Sequence, residues 1–346
     1  MPASWTDTHC AVCGGLDGAS ILDIPHVDAP GGVSYVWRCG HCGLRRLRPR
    51  PESEVLGRYY AEAAGYNAFV GRRRSARAQK FWDFLRDCRS RPSGASTLAR
   101  WLAPIGGRIA EWAFDINVPI EGRRGVRVLE VGSGYGDILI YLKSRGCEVL
   151  GTDLSEAASR KGAEQGVEIR VGNLADLVLP AASFDAAILS HSLEHVPDPN
   201  VELAELARVL RPGGRIYLAV PNGNAVRLVL DGRAWAHLSH PFHFWYFDPR
   251  TIQRILAKHG FVPVSRPYTT TRHHALLSWR DERSKLGFVT ATRRLFAFLR
   301  ESYRRPGGGD VLRVVAELRG KEAGDALLAR LDQDRSGTKP SETKIK

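Results

Sequence analysis

The sequence predicts an α/β fold: a largely parallel sheet flanked by helices, with a small cysteine-bound unit ahead of it. Three observations carry this. Residues 127–142 (RVLEVGSGYGDILIYL) run from a β-branched, apolar stretch through Gly132, Gly134 and Gly136 into a helical pattern. Strand-like and helix-like stretches then alternate through residue 266. Two Cys-x-x-Cys pairs stand near the N-terminus, Cys10 with Cys13 and Cys39 with Cys42.

Residues 1–50 are predicted to form a zinc ribbon. Each pair precedes a glycine, Gly14 or Gly43, which permits a tight turn that aims backbone N–H groups at sulfur. Four thiolates leave no open position on a tetrahedral Zn²⁺, so the metal would be structural. Short strands are expected at Ile21–Ile24 and Val33–Arg38. His9 and His41 are expected to be bystanders, and Cys88 and Cys147 to be buried or incidental rather than reactive. Residues 51–122 are expected to be a helical lid or linker. They carry Tyr59, Tyr60, Tyr66 and Phe69, an aromatic helix around Phe81 and Trp82, and a loop at Pro92–Ser96.

Residues 123–266 form the core. Strand 1 ends at Val131. Strand 2 is Glu148–Thr152, with Asp153 immediately behind it, where a carboxylate can accept from two ribose hydroxyls. Strand 3 is Glu168–Val171 and strand 4 is Phe184–Ser190. His191, Glu194 and His195 follow, spaced to share one helical face. Asp198 and Pro199 suit a helix cap and first position. That helix stops at Arg211–Gly214, and strand 5 is Arg215–Val220. A histidine-rich aromatic run (His237, His240, His243) leads to a helix at Thr251–His259 and strand 6 at Phe261–Arg266. Strand 7 is either His274–Trp279 or, preferred for its β-branching, Asp310–Leu318. The latter makes 267–309 an insertion, helical at Leu286–Leu299, and 310–333 a closing strand and helix. The tail 334–346 is expected to be disordered.

The chain has 346 residues and a formal net charge of +13, from 50 Lys and Arg against 37 Asp and Glu. Such a balance suits an acidic partner or is a solvated arginine-rich surface. The first ten residues lack the basic and apolar regions of a secretory signal. No apolar run reaches the roughly 18 residues of a membrane span. A cytoplasmic location with no membrane partner is expected.

The glycine corner does not fit a dinucleotide fingerprint, because G-x-G-x-x-G from Gly132 would require glycine where Asp137 stands. What stands there is E-x-G-x-G-x-G, from Glu130 to Gly136. With Asp153, the Gly172–Leu177 loop, the L-E-H-V-x-D-P run from Leu193 and L-R-P-G-G from Leu210, it resembles class I S-adenosylmethionine (SAM) dependent methyltransferases. Asn173 replaces the family's usual acid.

The resemblance implies a seven-stranded Rossmann-like core under a lid. It implies SAM held by Glu130, Gly132, Ser133, Gly134, Gly136, Asp153, Leu154, Asn173, Leu174 and His191. The candidate bases are His195, His191 and His243, whose ordinary pKa lies near working pH. Some metal-dependent O-methyltransferases use a similar Glu/His set with a distal histidine. Here His191 replaces one glutamate, and a second divalent metal is not expected. The expected acceptor is a small-molecule, sugar- or carrier-linked biosynthetic intermediate. RNA methylation and a non-catalytic SAM-binding scaffold are the alternatives. The acceptor atom and oligomeric state are not legible.

Overall fold

The computed structural model describes residues 5–6, 8–25, 32–52, 124–270, 287–304 and 307–333, with positions 84, 97, 98, 283 and 284 between them. The lid readings at 53–83 and 85–96, Cys88, the alternative strand at His274–Trp279 and the tail 334–346 lie outside the described residues.

The core sheet is built from β6 (Arg127–Val131), β7 (Glu148–Asp153), β8 (Glu168–Val171), β9 (Phe184–Ser190), β10 (Leu210–Pro221), β12 (Phe261–Pro263), β13 (Tyr268–Thr270) and β14 (Val311–Leu318). Its order is β12-β14-β10-β9-β6-β7-β8, with β13 also on β14. Strands β6 to β10 pair in parallel, and β14 runs antiparallel to β10. In sheet numbering this is 3-2-1-4-5-7-6, and the preferred seventh strand takes its place between the fifth and sixth. The central strands β6 and β9 are buried on both faces, which is why they read as nearly continuous apolar runs, whereas the edge strand β8 buries only Ile169.

The strand order reverses at β6, whose neighbours are β7 on one side and β9 on the other. Such a switch point leaves a crevice at the strands' carboxyl ends. The helices around it are well specified. Helix α1 (Asp137–Ser144) starts from Gly136 in the left-handed region. Helix α2 (Glu156–Glu164) is capped by Ser155. Helix α3 (Pro199–Val209) has Asp198 as cap and Pro199 at its first position. Helix α4 (Val226–Asp231) follows β10, and α5 (Pro249–Lys258) opens with a capping box between Asp248 and Thr251.

Three boundaries differ from expectation. Strand 5 begins at Leu210 rather than Arg215, with its register on β9 interrupted between those residues. Arg211–Gly214 bulge out of the ladder between them, with Gly213 at φ +75°. Strand 6 stops at Pro263 but resumes as β13, so the insertion starts after Thr270 rather than at 267. The reason is that β14 is eight residues long. Its first half takes partners from Tyr268–Thr270 and its second half from Phe261–Pro263. The helix of the insertion, α6 (Phe288–Arg304), extends past Leu299. Its Arg294 shares the buried Asp231 with Arg227, at 2.5 and 2.9 Å. A closing helix, α7 (Lys321–Gln333), packs against α5. Among the described residues no helix is long and apolar enough to cross a membrane.

The N-terminal ribbon carries β2 (Gly18–Pro25), β3 (Val33–Cys39) and β4 (Arg45–Arg48), with a small ladder of β1 (Trp5–Thr6) on β5 (Arg50–Pro51). It is not a unit apart. The fourth strand of its sheet is β11 (Trp245–Tyr246), drawn from the core. One apolar cluster joins Ala11, Val12, Leu22, Val36 and Leu47 to Leu203, Leu206, Phe244, Phe247 and Ile255. Lys258 and Asn200 both donate to the Ala11 carbonyl at 3.1 Å. The division at residue 50 therefore cuts through shared core, because the ribbon has too few apolar residues to bury both faces of its own sheet.

One buried group works against stability. Glu202, on the inner face of α3, has an oxygen with no hydrogen-bond partner, and burial with the nearby Glu205 pushes its carboxyl up to about 7. A carboxyl whose folded pKa is raised favours folding while protonated. Its stabilising effect is full below the ordinary value of 4.5 and is lost as the pH rises to about 7. The loss is on the order of 3 kcal/mol. Glu202→Gln is expected to remove this slope, raising the urea-unfolding free energy at pH 8 by about 2–3 kcal/mol with little change at pH 4.

Candidate active site

The crevice begins at the exit of β6. Gly132 lies at φ +69°, and a Cβ on it would sit 2.7 Å from Cβ of Ser192, just past the end of β9. Glycine is needed here because two strand exits pass at contact distance. The Gly132 and Ser133 amides both donate to the Thr152 carbonyl, at 2.8 and 3.0 Å, tying the corner to β7. Asp153, the last residue of β7, accepts from the Gly134 amide at 2.8 Å and the Ser155 amide at 2.9 Å. Its carboxylate is thereby fixed across the mouth of the corner with lone pairs left over. The hydroxyls of Ser133 and Ser192 are buried and without a partner. An immobilised carboxylate, an open glycine turn and unsatisfied hydroxyls fit a ligand bearing vicinal hydroxyls and a polar end, as SAM does.

Glu130 is buried on β6 just below the corner. Leu154 is 62% exposed beside Asp153, offering an apolar surface. Asn173 is exposed and donates its amide to Asp176 at 3.0 Å. Leu174 turns its side chain away from the crevice. It is 1% exposed and packs in the main core, because the short turn Leu174–Leu177 points its first side chain inward.

Beyond β9 the chain does not form the helical face expected for His191, Glu194 and His195. Residues 193–195 are a turn, and His191 itself has φ +53°. A non-glycine residue there costs roughly 1–2 kcal/mol. The strained backbone still brings the three together. His191 Nδ1 lies 3.1 Å from Glu194 Oε1, and its ring stacks on His237 with centroids 5.8 Å apart. Glu194 is fully buried, and its other oxygen has no hydrogen-bond partner. Burial pushes its carboxyl up, but the His191 hydrogen bond and the surrounding histidines outweigh this and hold it at about 2.

His243 arrives from the aromatic run. Its Nδ1 donates to the His237 carbonyl at 2.8 Å, leaving the Nε2 lone pair directed elsewhere. Burial drives its pKa down to about 3. His195, with its ring edge-on to His243 at 4.6 Å, is bonded to the Phe242 carbonyl and is lowered by burial as well. Ligand atoms of Glu194, His195 and His243 lie within 4.8 Å of one another. An ionised carboxylate beside two neutral imidazoles can accept a proton or hold a cation. The partners His237 and Phe242 act through backbone carbonyls, which leave no signal in a sequence.

The four cysteine sulfurs also lie within 4.8 Å of one another. Across the pairs they are 3.4 Å apart for Cys10–Cys42 and 3.5 Å for Cys13–Cys39. A tetrahedral Zn²⁺ with four thiolates has an edge of about 3.8 Å. Gly14 and Gly43, both at positive φ, donate to the carbonyls of Cys10 and Cys39 in matching turns. This donor set fits a closed tetrathiolate metal site. His41 faces Asp17 at 3.4 Å and takes no part in it.

Residues 73–266, more than half of the chain, match the family described as "Methyltransferase domain". Nocamycin O-methyltransferase of Saccharothrix syringae is 39% identical over 112 residues, 30% of this chain and 40% of that protein. Ubiquinone biosynthesis O-methyltransferase of Idiomarina loihiensis is 33% identical over 173 residues, 47% of this chain and 65% of that protein. The chain thus spans about two fifths to two thirds of these relatives. A SAM-dependent methyltransferase of known structure from Mesorhizobium loti superposes with a TM-score of 0.42 at 21% identity, covering 56% of this chain and 91% of that one.

The corner geometry sets an order of tolerance among glycines. Gly132→Ala meets both a left-handed backbone and the Ser192 contact, and is expected to cost about 2–4 kcal/mol. Gly166→Ala, at φ +76° with open space around it, is expected to cost only about 1 kcal/mol. Urea denaturation of the two variants measures the difference.

Proposed function

Because the chain belongs to the methyltransferase-domain family, we propose that it transfers the methyl group of SAM to an oxygen of a small biosynthetic intermediate. The observation that carries this is the cluster of ionised Glu194 with neutral His195 and His243, one turn away from the glycine corner across the Gly132–Ser192 contact. The names of the two O-methyltransferase relatives support oxygen over carbon or nitrogen.

When bound, SAM supplies a methyl already activated by its sulfonium centre. The protein's part is to hold and to deprotonate. Asp153, fixed by two backbone amides, would take the ribose hydroxyls. The open glycine corner and the Ser133 hydroxyl would meet the amino-acid end, and Leu154 and Asn173 would flank the adenine. His195 and His243, kept neutral by burial, would accept the acceptor's hydroxyl proton. His191 is tied to Glu194 and would line the sulfonium side of SAM. In the ribbon, Cys10, Cys13, Cys39 and Cys42 would hold a structural zinc ion.

A second cation is favoured by one observation, the unpartnered buried oxygen of Glu194 facing two histidines oriented by backbone carbonyls. Glu194, His195 and His243 would hold a divalent ion, which would lower the acceptor hydroxyl's pKa as a Lewis acid.

Calorimetry with SAM and S-adenosylhomocysteine, followed by labelled-methyl transfer to phenolic, enolic and sugar hydroxyls and to RNA, tests the reading. SAM binding and transfer to a small hydroxylated acceptor are expected. Transfer to RNA alone, or binding without any transfer, overturns it. Asp153→Asn is expected to weaken SAM about tenfold. His243→Gln is expected to leave SAM affinity in place and lower turnover by about 100-fold or more.

Native mass spectrometry separates the two readings: one metal in the wild-type chain and in His243→Gln is expected where the histidines serve as bases, and two in the wild type with one in His243→Gln where they hold a cation.

A further inference from the structure

We infer that Arg50 is a positioning residue through which the metal-bound ribbon holds the Glu194–His195–His243 cluster in register. This rests on the proposed function for what the cluster does, but not for the physical linkage.

The linkage can be followed bond by bond. The second cysteine knuckle closes when the Cys39 amide donates to the Leu44 carbonyl at 2.9 Å, and Leu44 is wholly buried. Strand β4 starts at the next residue, so the metal fixes where that strand begins. It then pairs with β11 in the register Arg46 to Trp245 and Arg45 to Tyr246, and the Leu47 amide donates to the Phe244 carbonyl at 2.9 Å. Phe244 and Trp245 directly follow His243.

Arg50, two residues past β4, bridges both segments that carry the cluster. Its guanidinium lies over the rings of Phe244 and Trp245, 5.2 and 5.8 Å from their centroids. Its Nη1 donates to the Pro197 carbonyl, two residues beyond His195. The two segments are also joined to each other. The Phe244 amide donates to the Glu194 carbonyl, and the Trp245 indole donates to the Val196 carbonyl, both at 2.8 Å. A planar cation with a directed fork suits this double task, and a lysine ammonium supplies only its charge. The SAM corner, built on β6 and β7, shares none of these contacts. Displacing the clamp therefore moves the cluster relative to the methyl donor's site, where errors near 1 Å are costly to rate.

Hydrogen exchange of the zinc-loaded full chain, read by mass spectrometry, tests this without an acceptor. Arg50→Met is expected to keep its zinc and its SAM affinity within about twofold, and to speed exchange at residues 194–198 and 243–247 by about tenfold. Exchange at 148–164 is expected to stay unchanged, and Arg50→Lys to recover only part of the protection. Chelation of the wild-type protein is expected to loosen the same two segments together with the cysteine knuckles. Faster exchange confined to residues 45–51 in Arg50→Met, or spread evenly over the sheet, overturns the proposal, as does chelation that loosens the knuckles alone. Once an acceptor is known, kcat is expected to fall in Arg50→Met while the KM for SAM holds. Failure to bind SAM would count against the proposed function and leave the exchange result readable by itself.

Discussion

The contact between the exits of β6 and β9 constrains everything else at the crevice. Gly132 and Ser192 meet with no room for a single added carbon. That closeness follows from a parallel sheet whose central strands are buried on both faces, so that neither exit can lift away. It obliges β6 to leave through a left-handed turn and β9 to leave through a strained one at His191. The turn on one side spends its amides on Thr152 and Asp153 and leaves an open glycine corner with a fixed carboxylate at its mouth. The strain on the other throws Glu194 inward. The glycine corner and the Glu194 cluster are thus adjacent because of a packing constraint that neither could satisfy alone.

The second determinant is what the interior does with charge. A fully buried carboxylate is costly unless it is bonded and compensated. Around Glu194 the compensation is incomplete by one oxygen, while the nearest imidazoles are kept neutral and turned by backbone carbonyls. The buried Asp231, by contrast, is closed on both oxygens, by Arg227 and Arg294. The cluster beyond β9 is open by comparison, which is what a group that must take up a proton or a cation requires.

Much of this was legible in the sequence wherever the signal is local. The glycine corner, Asp153, the cap at Asp198–Pro199 and the β-branched run of β14 all declare themselves by residue type and period. Three features did not. Leu174 sits where a motif suggests ligand contact, yet a short turn carries it into the core. The i, i+3, i+4 spacing of His191, Glu194 and His195 suggested a helix, whereas a turn serves the same meeting because one residue accepts a positive φ. The pairing of β4 with β11 joins residues nearly 200 positions apart, and no window of sequence holds both. The apolar character of Trp245 and Tyr246 was visible, but which strand they would serve was not.

That shared sheet also has a consequence in time. Translation proceeds at about 5–20 residues per second, so some 10–40 seconds separate the synthesis of β4 from that of β11. During that interval the ribbon lacks the fourth strand of its sheet, so the β4 edge has no partner from the core. The cysteine knuckles lie wholly within the part already made, and a metal bound there would give the nascent unit its shape before its fourth strand exists. The ribbon would then wait as a template, and the histidine-bearing segment would be fitted to an edge already in place.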